Sequence, residues 1–229
     1  MHHSDRVHLV HMGDSITEGQ YISPSVRWTS LIERRLAERW DQNRFVTFNR
    51  GISGETTRMG LERFPTDVQN LRPDVMTLQF GMNDCNCWET DGGVPRVSEA
   101  AFSANMTEMI SRARVFGAKQ IVLATNHCSL RRYEMTSGEV YEAANARYSE
   151  LSRTVARQAG VELCDIRIPF EQFDDAELDR LLLPYPDHLH LSIEGNELYA
   201  DLIWPQIEAA MATFLDGGPS PEIETGVTS

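Results

Sequence analysis

Val7-His8-Leu9-Val10-His11-Met12-Gly13-Asp14-Ser15 runs as a short strand from Val7 to His11, stops at Gly13 and presents a carboxylate and a hydroxyl at its exit. The same punctuation recurs along the chain. Trp28, Leu31, Ile32, Leu36 and Trp40 follow Pro24-Ser25 at helical spacing. Phe45 to Phe48 reads as a second strand ending at Asn49-Arg50-Gly51, and Met59, Leu61 and Phe64 mark a helical segment after it. Val75 to Phe80 is a third strand closed by Gly81. A helix with Phe102, Met106, Met109, Ile110 and Ala113 on one face follows and is stopped by Gly117. Gln120 to Thr125 is the fourth strand, and Tyr141, Ala144, Tyr148, Leu151 and Val155 repeat at steps of three and four up to Gly160. Val161 to Ile166 is the fifth strand. Ser192 is placed to cap a last helix, which Pro205 is expected to kink or to shorten by a turn.

Strand–helix alternation of this kind predicts an α/β fold, a parallel sheet covered by helices on both faces. Right-handed crossovers leave few topologies, and five strands in the flavodoxin-like order 2-1-3-4-5 fit best. Residues 1–215 read as one domain and 216–229, rich in Gly, Pro, Ser and Thr, as a disordered tail. Such sheets bind ligands beyond the carboxyl ends of their strands. Ser15, Gly54, Asn83 and His127 follow strands one to four at that edge, which predicts a single site.

The chain has 229 residues, 41% of them apolar, enough for a substantial core. Its formal net charge of −13 argues against nucleic acid and anionic membrane as partners. Lys119 is the only lysine. No apolar stretch approaches the roughly 18–20 residues of a membrane helix. The start of the chain shows no signal-peptide pattern, so a cytoplasmic location is expected. The spacing of Cys85, Cys87, Cys128 and Cys164 is not that of a disulfide framework, and Cys164 reads as a buried small hydrophobe.

A serine needs a base to become a nucleophile, and the base needs a group that fixes its tautomer. Asp187 and His190 lie in a loop after Pro184-Tyr185-Pro186. Their separation lets one turn of chain bring the carboxylate onto Nδ1–H and leave Nε2 for Ser15. His188 is the rival base, directed elsewhere by that same turn. Taken alone, Ser15 would read as a helix N-cap and Asp187 and His190 as surface groups; together they predict acyl transfer to water. The Ser15 N–H, the Gly54 N–H and the Asn83 side chain are the candidate oxyanion donors, and Asp84 is expected to brace its loop. Asp14, Tyr21, Trp88, His127, Arg131 and Tyr185 are candidates to line the substrate pocket. Cys85, Cys87, Cys128 and His127 could meet between strands three and four. Their spacings match no usual zinc pattern, and pocket lining is preferred to a labile disulfide or a metal site.

Gly13-Asp14-Ser15-Ile16-Thr17, Gly54, Gly81-Met82-Asn83-Asp84 and Asp187-His188-Leu189-His190 together resemble the blocks of the SGNH (GDSL-type) hydrolases, in order, from Val7 to about Phe214. Ile16 replaces the usual Leu of the first block. The resemblance implies a three-layer α/β/α sandwich, with Ser15 as nucleophile, His190 as base and Asp187 as its orienter. It also implies an oxyanion hole of Ser15, Gly54 and Asn83, and no metal or organic cofactor. The expected activity is hydrolysis of carboxylic esters of short acyl chains, on a small molecule or an O-acetylated sugar or glycan. A lysophospholipase or thioesterase, an acyltransferase, and a catalytically silent binding module are the alternatives. A dimer is compatible with the sequence, but no feature demands one. The Gly-x-Ser-x-Gly elbow of the α/β-hydrolases is absent around Ser15.

Overall fold

The computed structural model describes residues 6–216, so the predicted tail from Gly217 onward lies outside the described residues. Five parallel strands form one sheet: β1 (Val7–Gly13), β2 (Phe45–Gly51), β3 (Val75–Gln79), β4 (Gln120–Ala124) and β5 (Glu162–Cys164). Their order is β2-β1-β3-β4-β5, as expected. Register places Gly13 opposite Gly51 on one side and Gln79 on the other. The exit of β1 is therefore flanked by the exits of β2 and β3. Every residue of β3 is buried, as a parallel strand covered on both faces requires.

Helices cover both faces. α2 (Trp28–Arg39) packs on the long C-terminal α8 (Ile193–Leu215), while α3 (Thr57–Asp67), α4 (Glu99–Val115) and α5 (Tyr141–Ala159) pack side by side on the opposite face. Trp28 is fully buried between the layers, edge-on to His11 and against Tyr199, and its Nε1 donates to Ile16 C=O at 2.9 Å. It belongs to the core, where burial of a side chain this size stabilises by roughly 2–3 kcal/mol.

Some sequence expectations shift. β2 extends past Phe48 to Gly51, and β5 is only Glu162–Cys164 because Ile166 N–H turns back onto Cys164 C=O and starts α6 (Arg167–Phe170). α6, α7 (Asp175–Leu181) and the one-turn α1 (Ser15–Glu18) are too short to carry a readable period. α3 buries Thr57, Gly60 and Phe64, at steps of three and four, which leaves Met59 exposed. α8 continues through Pro205 to Leu215. Lys119 is exposed just before β4, at the edge of the sheet opposite Ser15, with its N–H on Asp74 C=O. No helix among the described residues is long and apolar enough to cross a membrane.

Candidate active site

The exit of β1 is built tightly. A Cβ on Gly51 would lie 2.1 Å from Glu18 N, so only glycine lets β2 end against the backbone of α1. The cap of α1 is Asp14, whose Oδ1 accepts Ile16 N–H at 3.0 Å; Ser15 is the first helical residue, not the cap. Asp14 is fully buried and does not line a pocket, which corrects its sequence assignment. Burial pushes its carboxyl up to about 7, against the bond from Ile16 N–H; Asp84 nearby adds to the rise, and Gln79 Nε2 donates at 3.4 Å. Asn126 connects Gln79 to Asn145 at 2.9 and 3.0 Å, and Asn145 Nδ2 donates to His127 C=O at 3.0 Å. A polar ladder thus runs beneath the strand ends.

Ser15, 4% exposed, presents Oγ to His190 Nε2 at 2.9 Å. His190 Nδ1 lies 2.7 Å from Asp187 Oδ2. Asp187 Oδ1 also accepts Leu189 N–H at 3.0 Å and His190 N–H at 2.7 Å. Burial works to raise the Asp187 carboxyl, but these bonds outweigh it and hold the group well below the usual carboxylate range. An ionised Asp187 keeps the imidazole proton on Nδ1 and leaves Nε2 free to accept from Ser15. His188, at φ +51°, turns the other way, with Nε2 3.3 Å from Asp179. The preference for His190 over His188 agrees with this geometry.

The loop that carries Asp187 and His190 has no regular structure, and hydrogen bonds to its carbonyls hold it. Arg131 Nε donates to Asp187 C=O at 2.7 Å, and Leu130 N–H to His188 C=O at 3.0 Å. His127 Nε2 donates to Leu189 C=O at 2.8 Å, and Leu183 N–H to His190 C=O at 2.7 Å. His127 is fully buried against Phe170 and is a brace, not a pocket wall, which corrects its assignment. Burial lowers its pKa to about 4, so it is neutral.

An open groove of about 470 Å³ lies beside Asp187, lined by Tyr21, Arg131, Leu183, Pro184 and Pro186. Tyr21 stands edge-on to His190, with ring centroids 5.2 Å apart. Two pocket candidates lie outside this groove. Tyr185, in the cis Tyr185–Pro186 unit, is exposed and packs on His188. Trp88 is exposed under the Arg96 guanidinium, 4.1 Å from its ring centre.

The oxyanion candidates flank Ser15 through the sheet order, Gly54 after β2 and Asn83 after β3. The N–H groups of Ser15 and Gly54 and the Asn83 side chain make no hydrogen bond among the described residues. Asp84 braces its turn as expected: Oδ1 accepts both the N–H (2.9 Å) and the hydroxyl (2.5 Å) of Thr57. Burial nevertheless raises its carboxyl to about 6. All four cysteines are free and buried, and no cluster of His, Cys, Asp and Glu suited to a metal ion occurs among the described residues. Sequence reading missed Glu18, on α1, and Arg96, in the loop after β3, which both hydrogen-bond to the turn around Gly54. Glu18 carried a signal, its place one helical turn after Ser15; Arg96 carried none.

The profile of the GDSL-like Lipase/Acylhydrolase family matches residues 11–198. Esterase TesA of Pseudomonas aeruginosa is 31% identical over 115 residues, 50% of this chain and 52% of that protein, so the match spans about half of that relative's length. Two solved structures share the fold. A lipase/acylhydrolase from Enterococcus faecalis has a TM-score of 0.71 at 24% identity, covering 89% of this chain and 96% of that one. An acetylxylan esterase from Geobacillus stearothermophilus has a TM-score of 0.69 at 20% identity, covering 90% and 96%. With its nucleophile candidate at the exit of β1 and the last block facing it, the chain belongs to the GDSL-like lipase/acylhydrolase family.

Proposed function

We propose that the protein is a serine hydrolase of carboxylic esters with short acyl chains, acting through an acyl-enzyme. The observation that carries this reading is the relay Ser15 Oγ to His190 Nε2 (2.9 Å) and Nδ1 to Asp187 Oδ2 (2.7 Å). Ser15 Oγ attacks the acyl carbon while its proton passes to His190 Nε2. Asp187, held ionised, stabilises the imidazolium. The Ser15 N–H, the Gly54 N–H and the Asn83 side chain, which make no hydrogen bond among the described residues, receive the oxyanion. The imidazolium then returns its proton to the leaving alkoxide as the C–O bond breaks. Water, deprotonated by His190, repeats the attack and releases the acid.

The groove is open and carries a cation and a carboxylate, Arg131 and Asp187, beside Tyr21, Leu183 and two prolines, which suits a small acyl group on a polar alcohol better than a long lipid chain. An O-acetylated sugar is the substrate class favoured, in keeping with the acetylxylan esterase that shares the fold. Thioester, lysophospholipid and acyltransferase chemistry would use the same relay. A fluorophosphonate probe with mass-spectrometric mapping, run beside p-nitrophenyl ester turnover over a chain-length series, tests the proposal. A single adduct on Ser15 with turnover greatest for acetate is expected. Folded protein with neither adduct nor turnover would make the chain a binding module, and a maximum at long chains or acyl-CoA would replace the short-acyl reading.

A further inference from the structure

The Gly54 turn is fastened on both sides of its donor and left free at the donor itself. Glu18 Oε2 accepts Ser53 N–H at 2.7 Å, and the Ser53 hydroxyl donates to Gln20 Oε1. On the far side, Arg96 Nη1 donates to Gly54 C=O at 3.1 Å. The peptide between these anchors contributes the Gly54 N–H, which has no acceptor among the described residues. Gly54 adopts φ +76°, and a Cβ there would meet nothing within 4 Å. The positive φ, not crowding, is what calls for glycine. A surface glycine turn without anchors would sample many orientations, and an oxyanion donor works only when it is already aimed.

The anchors start from the elements that carry the other two donors. Glu18 lies on α1, one turn beyond Ser15. Arg96 closes the loop that opens at Asn83: its N–H donates to Asn86 C=O at 2.9 Å, and Val97 N–H to Asp84 C=O at 3.1 Å. Its guanidinium is steadied on the face of Trp88, 4.1 Å away. Glu18 thus ties Gly54 to Ser15, and Arg96 ties Gly54 to Asn83.

We infer that Glu18 and Arg96 are positioning residues that hold three oxyanion donors from three separate segments in one frame. The inference rests on the proposed esterase reading of Ser15, Gly54 and Asn83. Neither side chain need touch the substrate; each fixes a peptide plane next to the one that does. Loss of an anchor therefore lowers the rate of the chemical step and leaves ground-state binding of an ester nearly as it was.

Kinetics of Glu18→Ala, Glu18→Gln, Arg96→Ala and Arg96→Lys with p-nitrophenyl acetate, read beside melting temperatures and the amide NMR signal of Gly54, test this. Both alanine variants are expected to lose about ten- to a hundredfold in kcat. Their KM and melting temperature stay close to the parent's, and the Gly54 amide shifts and broadens. Glu18→Gln keeps an oxygen for Ser53 N–H and recovers most of the rate, and Arg96→Lys, which keeps a cationic donor, falls between parent and Arg96→Ala. Unchanged kcat, a change confined to KM, or a loss that tracks the melting temperature with Glu18→Gln as poor as Glu18→Ala overturns the inference. If the parent hydrolyses no ester, the esterase reading is what fails. The Gly54 amide then decides the brace: unaltered in both alanine variants, it refutes it; perturbed in both, it upholds it.

Discussion

Ser15 and His190 meet at 2.9 Å, yet they are held there by opposite means. Ser15 stands where β1 turns into α1, its backbone fixed by strand register with β2 and β3, by the Asp14 cap and by the close fit of Gly51. His190 stands on a loop whose path is set by hydrogen bonds to successive carbonyls, most of them from residues 127–131. The first arrangement draws on the cooperativity of the whole sheet. The second draws on a few polar contacts, each contributing about 0.5–1.5 kcal/mol, more where a charged group donates. The His190 side is thus the softer half of the candidate site, and changes in the segment after β4 should reach the proposed chemistry more readily than changes in the helices that cover the sheet.

The sharpest test of the pairing is to remove either partner. Ser15→Ala and His190→Ala should each lower kcat for p-nitrophenyl acetate by at least ~10³-fold with the fold retained by circular dichroism. His188→Ala should change it little, and the reverse ranking of the two histidines would move the base to His188. Next in size is the donor after β3: Asn83→Ala should cost roughly 10²–10³-fold in kcat, or ~2.7–4 kcal/mol of transition-state stabilisation, with KM nearly constant. A smaller loss measures the softness of the base loop directly. Arg131→Ala, which frees Asp187 C=O, should lower kcat about tenfold; because Arg131 also lines the groove, a change confined to KM reports on the groove and not on the loop. A conservative core change on the buried face of α2, Leu36→Met, should leave kcat near the parent value; equal losses from the two variants would remove the contrast.

The smallest effect concerns stability against pH. His127 is held neutral with its pKa lowered from 6.5 to about 4. Below pH 6.5 the unfolded chain takes up a proton there that the folded protein does not. Its contribution to stability is therefore complete above pH 6.5 and is lost as pH falls toward about 4. His127→Gln keeps a donor for Leu189 C=O but removes the titration. Between those two pH values, the unfolding free energy of the parent should fall more steeply than that of the variant by up to about 1.4 kcal/mol per pH unit, the equivalent of one proton. Asp14 and Asp84, raised to about 7 and about 6, act in the opposite sense in both proteins and cancel in the difference. Parallel slopes in urea titrations would mean that His127 is not kept neutral by its burial.

What could be read from the chain follows the same divide. The exits of β1 and β3, marked by Gly13 and Gly81, were legible because a buried parallel strand is a short apolar run and glycine ends it, whereas β2, half-buried at the sheet edge, runs on through polar Asn49 and Arg50 to Gly51. The local turn from Asp187 to His190 was legible because three residues of separation fix its closure. His127 was misread because its position after β4 is that of a site residue, while its burial depends on Phe170 and Leu189, far along the chain. Asp14 was misread because adjacency to a candidate nucleophile does not reveal which way a side chain turns at a strand exit. The contacts of Arg96 with Gly54, 42 residues away, and of Arg131 with Asp187, 56 residues away, leave no periodic trace in the sequence.

Lys119 has a practical consequence for handling this protein. The chain's one side-chain amine is exposed just before β4, while Ser15 and the groove lie past the other ends of the strands. At about 3.3 Å per residue, β4 alone sets the two roughly 15 Å apart through the sheet. Chemistry directed at lysine therefore has a single internal point of attachment, remote from the groove. Molecules tethered to a support through Lys119 would carry the groove on the side away from the attachment.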